Sequence, residues 1–296
     1  MTSLPVRPMA PSDFPFAVAL TDTERWGFTV DDFERFLALS SEGCFVVEHE
    51  GERAGLLTTC LYGEVGWIGN VIVTQRLRGL GLGAALVRHA IDYLERAGAH
   101  AERLWAYENT TALYAKFGFT DDRLRSRRWI GFGHDKHEEP LARGPEGCSI
   151  YPLNALTLQQ VFPLDLRSFG ADRSRVLSRV ALDNPKTGLV ARAQGGAPAG
   201  YLLVKGSPKG CELGPWVVDP AHASWAVPCL LEAALNRLAG QSVELGVYTQ
   251  RADVEARLIA HGFHAGFATV RMTRGEAAAA VEDVAALCAI GALEKG

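Results

Sequence analysis

The sequence lacks paired cysteines and long apolar runs. Its six cysteines stand far apart, with no Cys-x-x-Cys pair, at Cys44, Cys60, Cys148, Cys211, Cys229 and Cys288. This spacing argues against a disulfide framework or a zinc site and is typical of reduced thiols that serve as small apolar residues. No run approaches the roughly 18 apolar residues of a membrane span, and the first residues lack the apolar core of a secretion signal. We therefore expect a cytoplasmic protein.

The sequence also lacks a strong net charge. Thirty basic and 34 acidic residues among 296 give a formal charge of −4, so no sequence-wide basic field exists that would attract nucleic acid or an anionic membrane. What is present is a hydrophobic fraction of 48%, enough apolar mass for two cores. We expect neither nucleic acid nor a membrane as partner.

Hydrophobic periodicity divides the chain into two halves. Residues 1–133 alternate between short strands and amphipathic helices, which predicts a mixed α/β domain. Residues 134–147 are polar and contain proline and glycine, as in a linker. We expect His134, His137 and Glu138 of this segment to be solvated, and we predict no metal site. Residues 148–296 form a second domain with a C-terminal helix.

The segment Val71–Ala84 has the composition of an anion-binding loop. It reads Val-Ile-Val-Thr-Gln-Arg-Leu-Arg-Gly-Leu-Gly-Leu-Gly-Ala, an apolar strand followed by two arginines and three alternating glycines, directly before an amphipathic helix. The first turn of a helix carries unpaired N–H groups and the positive end of the helix dipole, and glycine lets an anion approach that backbone. Arg76 and Arg78 add positive charge. We therefore predict a phosphate-binding site.

Two known loop types fit these glycines incompletely. A P-loop would need Lys-Ser/Thr after its last glycine, where this sequence has two alanines. A dinucleotide fingerprint, Gly79-x-Gly81-x-x-Ala84, matches in spelling, with Glu102 or Glu108 as its acidic residue, yet such a unit seldom starts about 70 residues into a domain. A nicotinamide dinucleotide enzyme is therefore a weaker interpretation.

A third loop type explains more residues. Arg78-x-x-Gly81-x-Gly83, between an apolar strand and a helix, resembles the acyl-CoA signature of the GNAT superfamily of N-acyltransferases. Downstream, Asn109-Thr-Thr-Ala-Leu-Tyr-Ala-Lys-Phe-Gly-Phe119 is similar to the second motif of that family. The resemblance implies an α/β fold class, with tandem GNAT domains that each have a central mixed, mostly antiparallel sheet flanked by helices. It also implies transfer of an acetyl group from acetyl-CoA to a primary amine of a small molecule.

The same resemblance implies roles for individual residues. The loop N–H groups bind the CoA pyrophosphate, the preceding strand pairs with the pantetheine arm, and Tyr114 protonates the CoA thiolate. The general base stays open between Glu64, Glu108 and a water path, because Trp67 occupies the strand position where many relatives have a glutamate. The implied cofactor contacts are Val71, Ile72, Val73, Arg76, Arg78, Gly79, Leu80, Gly81, Leu82, Gly83, Ala84, Asn109 and Tyr114.

The second half repeats the first at an offset of 144 residues, as the pairs Gly118-Phe119 and Gly262-Phe263 illustrate. This offset projects Gly81 onto Trp225 and Gly83 onto Val227, so the anion-binding glycines are missing from the second copy. We therefore expect a degenerate GNAT-like domain there, with the chemistry confined to residues 1–133.

The acceptor is expected to bind near Glu24, Trp26 and Phe28, since specificity in this fold usually comes from the helical segment after the first strand. Acidic and aromatic groups suit a cationic amine through charge pairing and cation–π contacts. In the alternative, the two aromatic rings belong to the core. A non-catalytic acyl-CoA-binding sensor or scaffold remains the alternative for the whole chain, which we expect to be a monomer or homodimer.

Overall fold

The computed structural model describes residues 5–134, 144–185, 187–207, 210–276, 282–292, 294 and 296, and these form two compact units. Unit 1 contains the described residues of Met1–Arg123, Val270–Ala278 and Leu293–Gly296, and unit 2 contains those of Leu124–Thr269 and Ala279–Ala292. Each unit thus draws on both halves of the sequence, and the domain division at residues 133 and 148 stays a prediction. Most of the predicted linker, including His137 and Glu138, lies outside the described residues.

Unit 1 has a mixed sheet flanked by helices. Strands β1 to β4 are antiparallel neighbours in sequence order, and β5 lies parallel to β4. This arrangement confirms the expected fold class. The elements are β1 (Val6–Pro8), α1 (Phe14–Asp22), α2 (Val30–Leu39), β2 (Cys44–His49), β3 (Glu52–Tyr62), β4 (Val65–Val73), α3 (Leu82–Arg96), β5 (Ala101–Tyr107) and α4 (Thr111–Ala115).

Unit 2 repeats this order of elements. Strands β7 to β10 are antiparallel neighbours, β11 pairs in parallel with β10, and β6 pairs antiparallel with β11. The boundaries between the units fall inside β6 and β12. The elements are β6 (Thr120–Phe132), β7 (Ser149–Pro152), α5 (Ala155–Phe169), α6 (Ser174–Asp183), β8 (Leu189–Arg192), β9 (Pro198–Ser207), β10 (Gly210–Val218), α7 (Ala223–Arg237), β11 (Ser242–Tyr248), α8 (Ala252–Ala260), β12 (His264–Gly275) and β13 (Leu287–Ala289).

Helix α3 shows how the sequence pattern fixes the core of unit 1. Leu86, Ala90 and Leu94 recur at helical spacing and are fully buried in one apolar cluster with residues of the sheet. Burial of each leucine contributes about 2 kcal/mol to folding. This packing holds the first turn of α3 beside the end of β4. Among the described residues, no helix has the length and apolar character that a membrane span requires.

The end of the chain differs from the sequence prediction of a C-terminal helix. The described residues 282–292 contain the short strand β13, which pairs with β10 at Trp216 and with β11 at Val247, both through Ala289. Pairing with two strands overrides the helix propensity of this alanine-rich segment. Residues 277–281 lie outside the described residues.

Candidate active site

The glycine loop ends in a helix start that is open for an anion. Gly79 and Gly81 have φ angles of +86° and +83°, and Gly81 is the N-cap residue of α3. A Cβ at either position would meet no atom within 4 Å, so these residues are glycine because of backbone conformation, and open space lies in front of them. The first intrahelical bond is donated by Ala85 N–H to Gly81 O at 2.9 Å. The N–H groups before it have no partner within the helix, and such groups at a helix N-terminus are suited to an anion.

Arg78 connects this loop with the segment between α1 and α2. Its Nε donates to the carbonyl oxygen of Val73 at 3.1 Å, and its Nη2 forms an ion pair with the carboxylate of Glu24. The sequence placed Arg78 at the cofactor and Glu24 at the acceptor, and the structure brings the two side chains together. Both stay about half exposed, at 48% and 40%, and Arg76 is exposed as well. Positive charge therefore lies at the loop.

Strand β4 changes direction just before the loop. Leu56 of β3 pairs with Ile72, but Thr58 pairs with Gly69, so β4 carries one extra residue there and forms a β-bulge. Asn70 adopts a φ of +53° in this bulge, and its Nδ2 donates to Thr58 Oγ1 at 3.0 Å. A bulge redirects backbone N–H and C=O groups away from the neighbouring strand, as hydrogen bonds to a bound chain require.

Strands β4 and β5 also separate at this point. Their parallel pairing runs from Val65 with Ala101 to Trp67 with Arg103, whereas β4 continues to Val73 and β5 to Tyr107. The half of β4 that contains Val71, Ile72 and Val73 therefore has an edge that β5 does not pair with. Such an edge offers the hydrogen-bonding groups that an extended amide chain can join as an added strand.

Asn109 and Tyr114 lie beyond the end of β5. Glu108 and Asn109 are exposed in a short 3-10 turn, and Tyr114 lies on α4. The Tyr114 ring is 7% exposed and packs edge to face on Phe119, with ring centroids 6.1 Å apart. Burial, and to a smaller extent the nearby Tyr107, raises the pKa of the Tyr114 hydroxyl above its usual range. The group is therefore protonated at neutral pH.

The apolar cluster that buries α3 also joins Tyr114 to the glycine loop. It contains Val73 at the end of β4, Leu82 in the first turn of α3 and Tyr114 on α4. A Cβ at Gly83 would lie 3.8 Å from the Val73 side chain and 3.9 Å from the Leu113 side chain. The fold thus gathers the two sequence motifs at one end of the sheet of unit 1.

The two carboxylates predicted as bases lie in different places. Glu64 precedes β4, and its Oε1 is 3.6 Å from Nδ1 of His100. Glu64 lies seven positions before Val71, roughly 23 Å along β4, so the structure does not bring Glu64 to the bulge. Glu108 is next to Asn109 at the open end of β5. Trp67 is fully buried.

Sequence reasoning missed one acidic residue whose backbone lies near the separation of β4 and β5. Glu294 is 5% exposed, and a Cβ added to Gly69 would overlap its Cα and Cβ atoms. Gly69 directly precedes the bulge residue Asn70, so Glu294 lies at the point where β4 leaves β5. No local pattern could have indicated this contact, because 225 residues separate the two positions along the chain.

The predicted acceptor aromatics pack on each other and on α2. Phe28 contacts Trp26, Phe33 and Phe36 edge to face, with ring centroids 6.1, 6.0 and 5.6 Å apart. Both Trp26 and Phe28 are half-buried against an apolar cluster. Their contacts agree with the alternative in which they serve the core, and their exposed parts keep the acceptor role as a prediction.

The described residues of unit 2 form no equivalent opening. Between β10 and α7 lie four residues, where eight lie between β4 and α3. The N-cap residue of α7 is His222, in the place of Gly81, so the single offset of 144 is wrong here because the shorter loop moves the helix start. Strand β13 fills the gap between β10 and β11, and a Cβ at Gly214 would overlap the carbonyl oxygen of Ile290.

Comparisons with known proteins cover both halves of the chain. A family model described as "Acetyltransferase (GNAT) family" matches residues 14–119, and one described as "Acetyltransferase (GNAT) domain" matches residues 161–283. The chain is also similar to a protein of Oryza sativa subsp. japonica named "Probable glucosamine 6-phosphate N-acetyltransferase 2", with 34% identity over 79 residues. That match covers 27% of this chain and 43% of the rice protein, less than half of its length.

Solved structures share the fold over nearly the whole chain. A putative acetyltransferase from Pyrococcus horikoshii has a TM-score of 0.78 and 23% identity, covering 100% of this chain and 97% of that one. A GCN5-related N-acetyltransferase from Sphaerobacter thermophilus has a TM-score of 0.69 and 18% identity, with 93% and 96% covered. A tandem GNAT protein from the clavulanic acid biosynthesis pathway has a TM-score of 0.67 and 19% identity, with 92% and 98% covered. At such identities the likeness establishes the fold.

Proposed function

Because this chain belongs to the GNAT acetyltransferase family, with two GNAT domains, we propose that it transfers the acetyl group of acetyl-CoA to a primary amine of a small molecule at one site in unit 1. The observation that carries this proposal is the contrast between the units. In unit 1, β4 separates from β5 in front of a glycine-capped helix, whereas in unit 2 the corresponding gap holds β13 and the loop is half as long.

The loop supplies binding for the cofactor. The N–H groups of Leu82, Gly83 and Ala84 in the first turn of α3 are suited to the pyrophosphate, and Arg76 and Arg78 add positive charge. The unpaired edge of β4 at Val71 and Val73 is suited to the amides of the pantetheine arm. Gly79 and Leu80 shape the loop, and Asn109 extends toward the same end of the sheet.

The chemistry then depends on two protons. Acetyl-CoA supplies a thioester carbonyl that an uncharged amine attacks, and a thiolate departs. A backbone N–H at the bulge, near Val71, is positioned to stabilise the tetrahedral oxyanion. Tyr114, whose hydroxyl is protonated at neutral pH, donates a proton to the departing thiolate. The attacking nitrogen loses its extra proton as the amide forms, and that proton restores the Tyr114 hydroxyl.

The second proton must leave the amine before attack, because an alkylammonium group has no free electron pair. Of the predicted bases, Glu108 lies at the open end of β5, while Glu64 lies at the far end of β4. Glu294, whose backbone lies against Gly69, is a further acidic residue next to the bulge. We propose that Glu108 or Glu294 accepts the proton, directly or through water.

The acceptor is proposed to enter past the segment between α1 and α2. Glu24 there carries negative charge that suits a cationic amine, and Trp26 and Phe28 present half-buried rings beside it. The name of the rice relative adds glucosamine 6-phosphate to the amines worth testing.

Calorimetric titration of the purified chain with acetyl-CoA tests the proposal first. We expect one site per chain, followed by thiol release in a screen of polyamines, amino acids and aminosugars. Tyr114→Phe should cut turnover and leave acetyl-CoA binding intact, with Tyr151→Phe on the exposed face of unit 2 as the control. Binding without turnover for any amine would favour the acyl-CoA sensor instead, and no binding would overturn both.

A further inference from the structure

Three metal-ligating side chains meet in unit 2, apart from every residue assigned to acetyl transfer. Glu232 accepts a contact from each of two imidazoles: His134 Nε2 lies 3.0 Å from its Oε2, and His261 Nε2 lies 2.9 Å from its Oε1. The three ligand atoms all lie within 4.8 Å of one another. Each side chain is about one-fifth exposed, so the cluster is reachable from solvent yet held in place.

The fold holds the three positions rigidly. His134 follows β6, and its backbone N–H donates to Leu235 O at 3.1 Å while its carbonyl accepts from Gly240 N–H at 3.2 Å. Gly133 permits this close approach, because a Cβ there would overlap the backbone of Leu238 at the end of α7. Glu232 lies within α7, on the turn that faces this segment.

The third position is fixed in a similar way. His261 ends α8, and its N–H donates to Arg257 O at 3.0 Å and to Leu258 O at 3.1 Å. The rings of His134 and His261 pack edge to face, with an interplanar angle of 66° and centroids 5.2 Å apart. Three separate elements thus direct their side chains to one point, and little rearrangement is needed for a ligand to bind between them.

The donor set indicates the class of ligand. Two imidazole nitrogens and one carboxylate oxygen suit zinc and neighbouring first-row metals, and not the all-oxygen shells of magnesium or calcium. Bonds of about 2.1 Å in a tetrahedral site place ligand atoms about 3.4 Å apart. The observed contacts of 2.9 and 3.0 Å reach that spacing after small side-chain rotations.

We propose that His134, Glu232 and His261 bind one divalent zinc-class ion, with the remaining coordination position open to water. Three protein ligands with an open position are the pattern of exchangeable zinc sites. The ion would join the segment after β6 to α7 and α8, and so stabilise unit 2. The residues near His134 in the sequence gave no sign of a metal site, because its partners Glu232 and His261 lie 98 and 127 positions away.

The test uses the full, tag-free chain after chelator treatment, titrated with Co²⁺ alone. We expect visible d–d absorption of a low-coordinate site that saturates at one equivalent, and displacement of Co²⁺ by one equivalent of Zn²⁺. His134→Asn and His261→Asn should each weaken Co²⁺ binding more than about 100-fold, since loss of a ligand exceeds the loss of an outer-shell partner. His264→Asn, an exposed histidine of the same unit, should bind like wild type.

Glu232→Gln provides a second variant that separates metal binding from a hydrogen-bonded cluster. Glutamine keeps an oxygen acceptor for one imidazole and replaces the carboxylate ligand by a weaker neutral amide, so the variant should fold and bind Co²⁺ much more weakly. Circular dichroism of the apo forms checks folding. The proposal is overturned if the wild-type chain shows no stoichiometric binding, or if Glu232→Gln binds Co²⁺ as tightly as wild type.

Discussion

Replacement of Gly81 by valine should separate cofactor binding from folding. Gly81 has a φ of +83°, and a Cβ there meets no atom within 4 Å, so the substitution costs the fold only backbone strain, about 1–2 kcal/mol. The new side chain projects into the open space before the first turn of α3. If it blocks two N–H contacts to phosphate, each worth at least about 1.5 kcal/mol, affinity falls by about 3 kcal/mol, or about 100-fold.

A matched control lies at the other end of the same helix. Gly98 follows α3 with a φ of +96°, and a Cβ there also meets no atom within 4 Å. Gly98→Val should therefore show a similar loss of thermal stability with unchanged acetyl-CoA affinity. Calorimetric titration gives the affinity and thermal unfolding gives the stability. Wild-type affinity in Gly81→Val, or equal loss of affinity in both variants, would refute the loop assignment.

Three further predictions follow from contacts in unit 1. Tyr114→Phe should lower kcat at least about 100-fold and leave the Kd of acetyl-CoA unchanged, and an unchanged kcat would remove Tyr114 from the mechanism. Because burial raises the pKa of this tyrosine, the activity of the wild-type protein should show no loss from its ionisation below about pH 10. Glu24→Gln breaks the ion pair with Arg78, whose side chains are 48% (Arg78) and 40% (Glu24) exposed, so the free energy of unfolding should change by less than about 1 kcal/mol. The KM of the amine should rise, and an unchanged KM would place Glu24 outside the acceptor site. Asp13 is fully buried, and although burial raises its pKa, hydrogen bonds from Arg7 and Arg53 hold that pKa well below the usual value. The contribution of Asp13 to stability is therefore complete above about pH 4 and is lost as the pH falls further. Asp13→Asn should lower the free energy of unfolding by about 2 kcal/mol at pH 7 and should flatten this acid dependence in thermal unfolding. Equal acid dependence in variant and wild type would contradict this assignment.

Much of unit 1 could be predicted from the sequence because its signals are local. The periodicity of α3 predicts a helix over about 82–97, and the structure has it at Leu82–Arg96. The positive φ angles at Gly79 and Gly81 follow from a glycine run before a helix, where the chain must turn and leave N–H groups exposed. The second motif likewise predicts where Tyr114 lies, since a short helix after a strand fixes its position.

Local signals were less reliable in unit 2. A constant offset of 144 predicted the place of β12 but not the start of α7, because four residues are missing from the preceding loop. A helix was expected at the end of the chain, and the described residues 282–292 include a strand, because β13 pairs with β10 and β11.

The sequence by itself determined the order of the elements in the first half, the glycine loop before α3, the second motif and the loss of the glycines from the second half. Only the tertiary structure decided that Glu24 pairs with Arg78, that Glu294 lies on Gly69, that β13 fills unit 2, and that Glu232 meets His134 and His261. The physical reason is the distance along the chain between the residues that interact. Helix starts and turns depend on neighbours within a few residues, whereas these contacts depend on which strands pair and how closely helices pack, and no window of sequence encodes that.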